Sequence, residues 1–84
     1  MVERAKTKDE MFMLRLYQEA SKLDDIEDPL DRYMIGTLVG LHAKAVDTIC
    51  VLLAQANFIK KHGPVDVSIT PHGMKLVDNI KLKT

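Results

Sequence analysis

Between Ile35 and Ile69 the spacing of apolar positions changes period, and the change marks out the elements of the chain. Val46, Cys50 and Leu53 recur at intervals of four and three, which places them on one face of a helix expected over 43–56. Asn57 follows, and Asn tolerates the left-handed backbone that ends many helices. Phe58-Ile59-Lys60-Lys61 then reads as a strand and His62-Gly63-Pro64 as a turn. Val65-Asp66-Val67-Ser68-Ile69 alternates strictly, which predicts a half-buried strand with Val65, Val67 and Ile69 inward and Asp66 and Ser68 outward.

Upstream, a helix is expected over 29–40. Asp28 would cap it, and Pro29 suits the first helical position, where a missing N–H costs nothing. Leu30, Tyr33, Met34, Ile35, Leu38 and Leu41 would supply its inward face. Gly40 offers a left-handed turn, with Leu41 plugging the core between the two helices. Gly36 has no turn role and fits the close approach of another helix. At the start of the chain, Asp9 would cap a helix over 10–23 with Met13, Leu16, Tyr17, Ala20 and Leu23 on one face. Met11, Phe12 and Leu14 spill beyond that face, which fits either packing on two neighbours, one of them a second subunit, or simple exposure. Thr70-Pro71 repeats the cap-then-proline logic for a last helix over 71–81, with Met74, Leu76, Val77 and Ile80 against the core and Lys81 and Lys83 near its end.

This cadence resembles the winged helix-turn-helix family, in which the recognition helix ends at a Gly or Asn and runs into the first wing strand. Thr70-Pro71-His72-Gly73 is similar to the segment that opens the final helix in winged-helix regulators of the MarR and PadR type. The resemblance covers roughly residues 29–82. It implies a small α+β winged helix and a double-stranded DNA partner, with 43–56 as the recognition helix. At about 100° per residue, Lys44, Asp47, Thr48, Val51 and Gln55 then point outward. Lys44, Thr48 and Gln55, with His42 at the helix start, are able to hydrogen-bond base edges or phosphate. Asp47 could accept from cytosine or repel the backbone. Lys60, Lys61 and His62 lie near the wing tip, where the family contacts phosphate; the alternative is a solvated hairpin tip. Family members of this size often dimerise through helices flanking the motif, so the resemblance also implies a homodimer.

Charge sharpens this picture. The formal net charge is zero. Residues 19–32 hold six acids and two bases, whereas 33–84 hold six bases and three acids. The basic surplus thus falls on most of the region resembling the winged helix. No Arg lies on the outward face of 43–56, and Val51 is exposed there, which suits a protein partner about as well as a DNA groove. Residues 1–8 form a polar arm, either a flexible terminus or, through Arg4, Lys6 and Lys8, a contact to phosphate; residues 9–84 are read as one domain.

Candidate chemistry adds little. The single Cys50 cannot form an internal disulfide and falls on the buried side of its helix, which reads as a small hydrophobe in a reducing, cytoplasmic setting. No apolar run approaches the ~20 residues that cross a bilayer, and no leader-like stretch follows the start. The acids at 24, 25, 27, 28 and 31 lack the Gly and the final Glu of a calcium-binding loop. There is no nucleophile with a base at a recognisable spacing and no glycine-rich phosphate loop. Neither an enzymatic activity, a metal nor a cofactor is expected.

Overall fold

A computed structural model describes residues 7–82. The elements run α1 (Lys8–Ala20), β1 (Leu30–Asp31), α2 (Arg32–Leu38), α3 (Ala43–Gln55), β2 (Ile59–His62), β3 (Asp66–Ile69) and α4 (Pro71–Leu82). The three strands form an antiparallel sheet in the order β1-β3-β2. This is an α+β winged helix-turn-helix, with β2 and β3 as the wing and β1 as a short third strand.

Helix α1 starts earlier than its apolar pattern suggests. Thr7, not Asp9, is the cap: its hydroxyl accepts from the Glu10 N–H while the Glu10 carboxylate accepts from the Thr7 N–H. The helix ends at Ala20, leaving Leu23 in an exposed turn. Asp24 and Asp25 lie just beyond, where continued helix would set them at the negative end of the dipole. Of the expected arm, residues 1–6 lie outside the described residues, and Lys8 is the first residue of α1.

Helix α2 begins later than expected. Asp31 rather than Asp28 is its cap, with Oδ1 accepting from the N–H groups of Tyr33 and Met34 at 2.8 and 3.4 Å. Leu30 and Asp31 are drawn into β1, paired with Val67 and Asp66. The shorter helix also turns Met34 and Leu38 outward: both are exposed, whereas Ile35 and Gly36 are buried. A side chain at Gly36 would collide with Cγ2 of Val46 on α3, which is the close approach expected of this glycine. Gly40 has φ +76°, and the chain turns by 115° between α2 and α3. That lies in the range of a helix-turn-helix.

Val46, Ile49, Cys50 and Leu53 of α3 all face the core, together with Phe12, Met13 and Leu16 of α1. Phe12 is therefore core, not surplus. Asn57 ends the helix with φ +65°, as its residue type suggests. β2 keeps the expected length but is shifted on by one, leaving out Phe58 and taking in His62 from the expected turn, whereas β3 is shortened and begins after Val65. Ile59 pairs with Ile69 and Lys61 with Val67. Ser68 departs from the alternation rule, being buried although it is on the face opposite Val67 and Ile69; the ring of His62 covers it across the hairpin.

The start of α4 is locked onto the end of α3. The Thr70 hydroxyl donates to the Asn57 carbonyl at 2.6 Å and accepts from the Gly73 N–H at 3.0 Å, capping the helix. Gly73 is buried there because a Cβ would strike the Phe58 carbonyl oxygen. Gly73→Ala sets two effects against each other. Helix propensity alone would stabilise by ~1 kcal/mol. Collision with a backbone atom that cannot rotate away costs ~1–3 kcal/mol. Urea denaturation is expected to show net destabilisation; a variant as stable as the parent or more so would mean the junction is looser than described.

Candidate nucleic-acid interface

Among the described residues, nothing covers the face of α3 opposite the core. Lys44, Thr48, Val51 and Gln55 are exposed along it, and His42 stands exposed at its start as the cap residue without a side-chain cap bond. These residues share a stripe but are not equivalent. Lys44 and Gln55 are eleven positions apart, which by helix rise is roughly 16 Å. A helix that reads bases with its first turns would leave Gln55 within reach of backbone phosphate only. Thr48 already donates its hydroxyl proton to the Lys44 carbonyl at 3.2 Å, so towards a ligand it offers lone pairs.

The wing residues divide in the same way. Successive strand residues point to opposite faces, so Lys60 and Lys61 cannot act as one patch. Lys61 shares the face of Ile59, towards the core and α3, and lies close enough to act on the Cys50 thiol. Lys60 and His62 lie on the other face, opposite Ser68 and Asp66. His62 Nε2 is 2.8 Å from Ser68 Oγ, so this ring is held by the hairpin and does not project from its tip.

Sequence reasoning missed the most structured part of this surface. Asp47, on the flank of α3, receives a hydrogen bond from the Tyr33 hydroxyl at 2.6 Å and an ion pair from Arg32 Nη2 at 3.2 Å. Arg32 Nη2 also donates to the Tyr33 oxygen at 3.1 Å, closing a triangle between the start of α2 and the middle of α3. The Arg32 side chain is 14% exposed and that of Asp47 50%. The hydrogen bond to Tyr33, helped by the Asp47 charge, raises the Arg32 pKa above its ordinary value against the cost of burial. In the sequence Arg32 reads only as a charge in an acidic stretch. The helical pattern predicts Tyr33 inward and Asp47 outward, and nothing in their spacing pairs residues 33 and 47.

Behind the triangle, Cys50 is fully buried, and desolvation pushes its thiol up to about 11. Among the described residues no three His, Cys, Asp or Glu side chains are placed to hold a metal ion. No single helix in the same range is long and apolar enough to cross a membrane. A scan against protein-family models and searches of curated proteins and of solved structures find no match.

The cysteine gives a direct check on this packing. Folding raises the thiol pKa, so it leaves stability untouched below the unfolded value, near about 8.5, and lowers it as pH climbs towards 11. At about pH 8 a thiol reagent should label the native chain on the order of a hundredfold more slowly than the denatured chain, following the thiolate fractions. Equal rates would show that Cys50 is open to solvent.

Proposed function

We propose that the chain binds double-stranded DNA, laying the outer face of α3 in the major groove and the β2–β3 hairpin against phosphate, as a transcriptional regulator or accessory factor. The observation that carries this reading is the exposed stripe of α3, polar at Lys44, Thr48 and Gln55, set on the second helix of a helix-turn-helix whose chain turns by 115°. The triangle supports it further. Asp47 is the acid on that helix, and Arg32 offsets its charge, which lowers the repulsion an approaching phosphate would meet. Lys44 on α3 and Lys61 on the wing then supply the positive charge. A reducing, cytoplasmic setting suits a chain whose one cysteine is free and buried.

A second reading rests on specific side chains. Val51 and Leu52 on α3 are 42% and 60% exposed, and Met34 and Leu38 on α2 about as much as Val51. Such apolar exposure favours a protein partner, including a second copy of the chain.

Salt separates the two. In fluorescence anisotropy with a labelled duplex, DNA affinity should fall steeply between roughly 50 and 200 mM salt, whereas apolar docking should not. The placement of the wing lysines makes the test sharper. Lys61→Ala should weaken binding and reduce the magnitude of the salt slope by about 0.9, the release from one phosphate contact. Lys60→Ala, on the opposite face, should do less. Equal effects of the two changes would contradict the wing orientation, and salt-independent binding would favour the protein partner.

A further inference from the structure

The carboxylate of Asp47 is held in an unusual way for a residue on an exposed helix flank. Both of its protein contacts, from Tyr33 and from Arg32, fall on the same oxygen, Oδ1. The second oxygen takes no hydrogen bond among the described residues, on a side chain that is half exposed. A surface Asp is ordinarily free to rotate. This one is fixed by two side chains of α2, themselves fixed by their mutual hydrogen bond and by the burial of Arg32. The entropy of orienting the free oxygen is therefore already spent before any ligand arrives.

An ionised carboxylate only accepts hydrogen bonds. In the major groove, outward-facing donors are the N4 amino group of cytosine and the N6 amino group of adenine. Adenine sets an acceptor, N7, beside its donor, and that atom repels a carboxylate; cytosine presents its donor alone. The pinned oxygen therefore matches cytosine best. We propose that Asp47 selects a cytosine in the DNA site, with Arg32 and Tyr33 as positioning residues that aim its free oxygen and offset its charge. This rests on the DNA-binding reading above and adds the base that the helix prefers.

The test is selection of duplexes from a random library by the full chain and by two variants. The wild type should enrich cytosine at one position, with a preference over thymine of about tenfold, the scale of one mismatched base pair. Asp47→Asn keeps its carbonyl oxygen under the Tyr33 and Arg32 donors and turns the outward atom into an amide N–H donor, so that position should lose cytosine in favour of a base that presents an acceptor, guanine or thymine. Tyr33→Phe keeps the ion pair of Arg32 with Asp47 but loosens the carboxylate. It should lower the cytosine preference several-fold more than it lowers affinity for random duplex, a split that a purely structural role would not give. Base preferences identical in wild type and Asp47→Asn, with DNA still bound, would overturn this inference alone. A wild-type chain that binds no duplex at low salt would overturn both it and the reading on which it rests.

Discussion

The approach of α2 to α3 at Gly36 sets the orientation of everything that faces outward. Val46 occupies the space a side chain at 36 would need, and as a β-branched residue it has few rotamers through which to yield. The two helices are thus held at the distance of a bare backbone. Gly40, in the left-handed region, then allows the chain to reverse within the four residues between Leu38 and Ala43. Once this contact and this turn are in place, Val46, Ile49, Cys50 and Leu53 are committed to the core, and the opposite stripe is committed to the surface.

A second junction fixes the far end of the same helix. Asn57 turns the chain, its carbonyl receives the Thr70 hydroxyl, and Gly73 leaves room for the Phe58 carbonyl. The end of α3, the entrance to β2 and the start of α4 meet here through backbone groups, each of which needs a partner once buried. The ring of His72 stacks on Phe58 at 4.8 Å and extends the junction towards the surface. Between these two anchor points α3 has little freedom, which is what a helix presenting a fixed row of side chains requires.

Most of this frame was legible in the sequence because it rests on local chemistry. The spacing of Val46, Cys50 and Leu53, the left-handed tolerance of Asn57 and the cap at Thr70 each act within a few residues. What escaped depends on distant partners. Leu30 and Asp31 became strand because Val67 and Asp66 were available to pair, which overrode the attraction of Pro29 for a helix start. Ser68 is buried because His62 reaches across the hairpin to it, a contact that alternation along one strand cannot reveal. The candidate site divides in the same way. Lys44, Thr48 and Gln55 could be placed on the exposed face from helical period alone, and His42 at the start of the same helix. The Arg32–Tyr33–Asp47 triangle could not, since it exists only when α2 crosses α3.

The charge distribution acquires a physical sense in this frame. Few bases lie on the α3 surface, so electrostatics alone would give weak, unselective attraction to a polyanion, and discrimination would fall to fixed polar groups such as the Asp47 carboxylate. The central proposal is that this helix face is the one that meets DNA. The most direct measurement is an amide chemical-shift titration of the full chain with a short duplex at low salt. The account predicts that shifts concentrate on the first turns of α3, from His42 through Thr48, on Arg32 and Tyr33, and on Lys61. Amide shifts confined to Met34, Leu38 and Leu52, or absent from α3 altogether, would contradict it.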